Sequence, residues 1–179
     1  KKKQLLLNDE EKKMKEKIWM FFGFRKGGVS SDRYSLHFIL LALALIIILT
    51  FYEIYFIDEK YTLYWPALVL FLIGAVIRSI ARIQLGKLFT FNVKIMEDHT
   101  LQEEGFYRYM RHPGYTGLLL EVLAWCLFFQ TMLGSLVTLF VFLPAGWYRI
   151  KIEEQTLEKN IPGYTEYKKK VKSLIPYVF

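Results

Sequence analysis

The chain has 179 residues, 54% of them hydrophobic and 23% charged, with a formal net charge of +7. That length suits one domain, and a composition split between greasy and strongly basic segments belongs to a small integral membrane protein rather than a soluble globule. A soluble nucleic-acid binder is excluded by the long uncharged runs, and the single cysteine, Cys126, excludes a disulfide framework, a zinc cluster or a CxxC pair within the chain.

Residues 1–33 hold ten Lys/Arg around the aromatic patch Ile18–Trp19–Met20–Phe21–Phe22. No apolar core or cleavage site follows the basic start, so no signal peptide is expected. The pattern predicts an interfacial helix from about Asp9 to Phe22, ended by Gly23; a solvated basic arm is the plainer reading. Leu36–Ile57 is the first predicted span, 22 residues with only Glu53 charged, long enough for the roughly 30 Å hydrocarbon core. Asp58–Glu59–Lys60 forms a polar turn, and Leu63–Leu85 is the second span. Its Arg78 and Arg82 are four apart and share a helix face. They either snorkel to lipid phosphates or anchor an acidic group.

After Gly86 the chain becomes polar, with a loop and a helical turn or two expected before the next span. Pro113 suits a first helical turn, where its missing N–H costs nothing, so the third span is predicted over Pro113–Phe129, with Glu121 embedded in it. Residues 130–135 read as a tight hairpin. The fourth span runs from Leu136 to Ile150 and beyond, and Pro144 and Gly146 should kink it or split it in two. The expected fold class is all-α: a polytopic helix bundle of four to five transmembrane helices with an N-terminal interfacial helix. With four spans, both termini and the 86–112 loop share one side, which carries every Lys and Arg except Lys60. The positive-inside rule makes that side cytoplasmic.

The sequence has no phosphate-cradling GxGxxG or Walker loop, no HExxH and no carboxylate pair at metal spacing. The polar groups able to act lie in two places, His99 to Tyr115 and Arg149 to Glu154. The first surrounds RHPGYTG (111–117), where a soluble ligand would meet the bundle at a helix N-terminus that favours anions. Tyr107 and Tyr115 offer π faces. Each feature also has a plainer reading. His112 serves as a helix cap, Tyr107 and Tyr109 as interfacial belt residues, and Arg149 with Glu153 as a helix-surface ion pair. Glu121 is harder to dismiss, because an embedded carboxylate costs on the order of 3 kcal/mol; a partner among Arg78, Arg82 or a tyrosine is expected. Cys126 reads as packing.

His99-x-Leu101, Gly105-x-Tyr107 and Arg111-His112-Pro113-x-Tyr115-x-Gly117, followed by Arg149-x-x-x-Glu153-Glu154-x-x-Leu157, Tyr164-x-x-Tyr167 and Leu174-Ile-Pro176, resemble the signature of the isoprenylcysteine carboxyl methyltransferase family. The resemblance covers residues 86–179, about half the chain. The RHPxYxG part is shared with phospholipid methyltransferases and sterol reductases, and the RxxxEExxL part narrows it. The short length resembles prokaryotic members, archaeal or bacterial, and so implies a prokaryotic cell membrane. In the family, contacts to S-adenosyl-L-methionine, released as S-adenosyl-L-homocysteine, fall on positions matching His99, Thr100, Leu101, Gln102, Tyr107, His112, Pro113, Gly114, Tyr115 and Glu153. The position matching Arg149 meets the acceptor carboxylate, so the resemblance implies catalytic roles for Arg149 and Glu153. One departure is Asn92, where eukaryotic relatives have glutamine.

These implications describe one domain over residues 1–179, with 1–33 as the basic arm and 86–179 as the cofactor and catalytic region. Its expected partners are the bilayer and a lipophilic prenylcysteine-type substrate, with no nucleic acid, no metal and no obligate protein partner. A carboxylate acceptor is ionised at neutral pH and needs no general base, only orientation, a cationic clamp and exclusion of water. The alternatives are an amine-methylating phospholipid N-methyltransferase, which would need a base such as Glu121, Glu153 or Glu154; a sterol-type reductase, for which no nicotinamide site is legible; and a non-enzymatic membrane adaptor.

Overall fold

The computed structural model describes residues 29–30, 32, 34–56, 64–90, 94–95 and 100–176. The predicted interfacial helix, His99, Asn92 and the Asp58–Lys60 turn lie outside them. The described residues form helices α1 (Ser35–Phe56), α2 (Trp65–Leu85), α3 (Pro113–Phe129), α4 (Met132–Asn160) and α5 (Tyr164–Lys170). Short 3-10 turns occupy Gly86–Leu88 and Gly105–Arg108. The exception to an all-α architecture is an antiparallel pair of two-residue strands, β1 (Val29–Ser30) and β2 (Lys94–Ile95). It ties the segment before α1 to the loop after α2.

Three helices, α1, α2 and α4, are long and apolar enough to cross a membrane, and α3 is a shorter apolar helix of 17 residues. The chain is therefore an integral membrane helix bundle. Exposed side chains on α1 and α2 include Leu41, Ile48, Phe71, Leu72 and Val76, an outward face that suits acyl chains. The core lies between α1, α3 and α4, where Ile39, Ala42 and Ile46 meet Val122, Cys126 and Phe142. Cys126 packs there, as its sequence setting suggests, 3.4 Å from the Thr138 hydroxyl.

The sequence expectations differ from the fold at two points. Residues 130–135 are not all hairpin: Gln130 alone takes a left-handed conformation and Thr131 caps α4, which is helical from Met132. Glu53, the lone carboxylate of α1, accepts from the Leu133 N–H at 2.9 Å and from the Thr131 hydroxyl. A charge that would be costly in lipid therefore satisfies a helix end that would otherwise be orphaned. Pro144 does not split α4. A π turn over Thr138–Phe142 precedes it, with the Leu143 N–H reaching the Thr138 carbonyl. The wider turn accommodates a residue that has no N–H to give. Among the described residues, four apolar helices result.

The most extensive helix pairing among the described residues is that of α2 with α3. A Cβ on Gly74 would stand 2.7 Å from the Gly117 carbonyl oxygen, and one on Gly117 2.6 Å from that of Gly74. Only hydrogen in both places lets the backbones approach, the small-residue device of membrane helix pairs. Four residues beyond each glycine, Arg78 and Glu121 face each other and pair at 2.5 Å. This is the partner that Glu121 required.

Candidate active site

Pro113 opens α3, with His112 at the cap position in a non-helical conformation. The His112 side chain does not cap the helix. Its Nε2 instead lies 3.1 Å from Glu154 Oε1, and the ring is 4% exposed. Arg111 donates from Nε to the same oxygen at 2.8 Å, and Lys168 on α5 reaches the other at 3.0 Å. The tail braces the segment as well: the N–H groups of Arg111 and His112 donate to the carbonyls of Lys172 and Ser173, and the Thr116 hydroxyl to that of Leu174. The tertiary role of Arg111 is thus to anchor the loop.

Glu153 and Glu154 are neighbours on α4 and point to different tasks, as a helical step of about 100° requires. Glu154 holds the loop, while Glu153 Oε2 accepts from the Tyr115 hydroxyl at 2.8 Å. That hydroxyl in turn accepts from Arg149 Nε at 2.7 Å. The link between Arg149 and Glu153 thus runs through Tyr115 on the facing helix, which the plain reading of a helix-surface ion pair did not contain. The His112 and Tyr115 rings meet edge to face at 5.7 Å.

Arg149 is 5% exposed, and its NH1 donates to the Ser35 hydroxyl at 2.9 Å. The same nitrogen stands 3.5 Å from Asp32 Oδ2, and Ser35 donates to that oxygen. Asp32 Oδ1 caps α1 by accepting the N–H groups of Tyr34 and Ser35 at 3.0 Å each. Sequence reasoning missed Asp32 and Ser35; the available signal was an Asp-x-x-Ser at the mouth of an apolar run, a cap pattern.

Tyr107 sits on the Gly105–Arg108 turn and donates to the Ala81 carbonyl at 3.3 Å, while Tyr167 donates to the Tyr107 carbonyl at 2.5 Å. Burial pushes the Tyr107 phenol up, and Glu153 and Tyr167 add to the shift. Burial likewise raises Tyr164, with Glu154 and Glu153 contributing, and it raises Tyr167. These phenols are therefore neutral at physiological pH.

One cavity of about 490 Å³ connects these groups. Of the residues singled out from sequence, Thr100, Leu101, Gln102, Tyr107, His112, Gly114, Tyr115, Arg149 and Glu153 line it. Pro113 is fully buried beside it, and His99 lies outside the described residues. The other wall is apolar: Leu36, Ile39, Leu40 and Leu43 from α1 and Leu118 from α3, with Arg78 and Glu121 also lining it. Its volume is within the roughly 300–1,000 Å³ common for small-molecule sites. Glu153 Oε1 takes no hydrogen bond among the described residues, which leaves an acceptor for a ligand hydroxyl or amine. Among those residues, no group of His, Cys, Asp and Glu is placed to hold a metal.

Comparison with known proteins bears on this arrangement. The model of the Isoprenylcysteine carboxyl methyltransferase (ICMT) family matches residues 67–159. A "Protein-S-isoprenylcysteine O-methyltransferase B" of Arabidopsis thaliana is 33% identical over 168 residues, covering 87% of this chain and 82% of the relative. A "Probable protein-S-isoprenylcysteine O-methyltransferase" of Oryza sativa subsp. indica is 34% identical over 129 residues, covering 68% of this chain and 65% of that protein. A solved structure of "the eukaryotic intramembrane Ras methyltransferase ICMT" superposes with a TM-score of 0.61 at 25% identity, covering 82% of this chain and 55% of that one. The chain thus spans somewhat less than two thirds of the rice relative. The prokaryotic membership that the short length suggests is not borne out, since these relatives are eukaryotic.

Proposed function

The chain belongs to the isoprenylcysteine carboxyl methyltransferase family, and from that premise we propose a membrane enzyme that methyl-esterifies the C-terminal carboxylate of an isoprenylated cysteine, or a similar lipophilic carboxylate, with S-adenosyl-L-methionine as methyl donor. What carries the reading is one cavity with two kinds of wall and a buried arginine that touches both. Arg149 bonds Ser35 at the head of α1, whose next turns supply the apolar side chains, and Tyr115 on the polar side.

The residues present fit the donor molecule. Thr100 to Gln102, Tyr107 and His112 to Tyr115 line a polar, aromatic space, and Glu153 Oε1 is available to ribose hydroxyls or to the amino group. When bound, S-adenosyl-L-methionine supplies a sulfonium methyl whose C–S bond breaks with its electron pair left on sulfur, giving S-adenosyl-L-homocysteine, as a carboxylate oxygen forms the new C–O bond. The acceptor carboxyl, with a pKa of about 4, is already ionised, so no side chain takes a proton. Arg149 clamps that carboxylate, Tyr115 orients Arg149, and Leu36, Ile39, Leu40, Leu43 and Leu118 receive the isoprenoid chain. Glu154 holds His112 in place from outside the reaction.

By sequence, the side shared by both termini and the 86–112 loop is expected to carry every Lys and Arg except Lys60, and the positive-inside rule makes that side cytoplasmic. Residues 86–179 act as the cofactor and catalytic region of a single domain. The experiment is tritiated methyl transfer to N-acetyl-S-farnesylcysteine and to phosphatidylethanolamine. A base-labile product from the first supports the reading. A base-stable product from the second makes the chain an amine methyltransferase, and transfer to neither, with no thermal stabilisation by S-adenosyl-L-homocysteine, makes it a membrane adaptor.

A further inference from the structure

We infer that Asp32, held with Ser35 at the head of α1, is a resident counter-charge of Arg149 that competes with an ionised acceptor, and not with its neutral methyl ester, for the guanidinium. The inference rests on the proposed reading of Arg149 as the acceptor clamp. Asp32 lies outside the stretch matched by the family model, which begins at residue 67.

A guanidinium 5% exposed needs a negative partner, because an uncompensated buried charge is strongly destabilising. Asp32 supplies it in the absence of acceptor, directly at 3.5 Å and through the Ser35 hydroxyl. The direct contact is long beside the roughly 2.7–2.9 Å of a strong charge-assisted pair, so a well-placed carboxylate competes with it successfully. Asp32 stays in position when it yields, because its other oxygen is bound to the Tyr34 and Ser35 N–H groups of the α1 cap. An acceptor lying along α1 brings its carboxylate to the same guanidinium. Methylation removes that charge; the ester has nothing to set against Asp32, and the internal pair closes again. Asp32 thus lowers affinity for the acid and leaves affinity for the ester unchanged. It is a positioning residue, not a catalytic one.

The test is Asp32→Asn, which removes the charge and keeps a side chain that caps helices well. Equilibrium binding of N-acetyl-S-farnesylcysteine and of its methyl ester is measured beside transfer kinetics, with Arg149→Gln in parallel. The variant should bind the acid more tightly, with KM lower by on the order of tenfold, and the ester with unchanged affinity. A merely structural role for Asp32 would move both affinities together. Unchanged or weaker acid binding in Asp32→Asn, with transfer lost in Arg149→Gln, overturns this inference and leaves the proposed function standing. Transfer that survives Arg149→Gln overturns both.

Discussion

Arg149 and Tyr115 meet at 2.7 Å across α4 and α3, with the tyrosine hydroxyl accepting from the guanidinium Nε and donating onward to Glu153. One hydroxyl therefore sets both the direction in which the arginine presents its remaining nitrogens and the orientation of the carboxylate beside it.

Tyr115→Phe keeps the ring and its edge contact with His112 and deletes only that hydroxyl. A hydrogen bond to a charged group contributes about 1.5–3 kcal/mol, so kcat/KM for the acceptor should fall by roughly 10- to 150-fold. S-adenosyl-L-homocysteine affinity, read by calorimetry, should fall less. An equal loss in both would mean that Tyr115 serves the cofactor side alone.

Glu154 holds Arg111, His112 and Lys168 together from α4. Glu154→Ala leaves Arg111, whose side chain is 11% exposed, without its carboxylate partner, a change that costs about 3–5 kcal/mol. The thermal midpoint in detergent should drop markedly, with a smaller drop for Glu154→Gln. A variant as stable as the parent would show that the tail carbonyls alone suffice to hold Arg111.

Gly117→Leu drives a side chain into the Gly74 carbonyl and Arg78 Cβ, 2.6 and 2.8 Å from where its Cβ would stand. Overpacking of that kind costs about 1–3 kcal/mol, and separating α2 from α3 also strains the Arg78–Glu121 pair. Denaturant titration should show the loss, with Gly117→Ala intermediate. No loss would mean that the two helices do not cross there.

Tyr107, Tyr164 and Tyr167 have raised pKa values in the folded protein, each starting from an ordinary 10.0. The folded state then binds more protons than the unfolded state once pH exceeds about 10, so stability falls as pH rises through that point. Below it, these phenols are neutral in both states and contribute no slope. Melting curves between pH 8 and about 11.5 should be flat and then decline. A decline that begins near neutrality would point to other groups.

The helical architecture was legible because its signals are local. Runs of some twenty apolar residues, Pro113 at a helix start and Gly86 after a helix end mark α1, α2 and α3 to within a residue or two. The middle of α4 was less legible, because a proline in an apolar run shows that a hydrogen bond is missing and does not show whether the chain breaks or widens into a π turn. The cavity-lining residues of RHPGYTG and of the Arg149–Glu153 turn stood out through their polarity in a greasy chain and through their resemblance to a known signature. Asp32 and Ser35 did not stand out, since an aspartate three residues before a serine at a helix start already has a local explanation as a cap.

By itself the sequence determined that the chain is a membrane helix bundle, where its helices lie, and that its polar groups gather at one basic end. Span length, apolar content and charge placement act over a few turns and need no partner. Only the tertiary structure decided which polar group meets which. Arg149 finds Tyr115 34 residues away and Ser35 114 residues away, while Glu153 and Glu154, adjacent in the chain, serve different walls. Those pairings follow from how α1, α3 and α4 pack and from glycines that let α2 close on α3, and a side chain's partner across that packing leaves no periodicity in the chain to read.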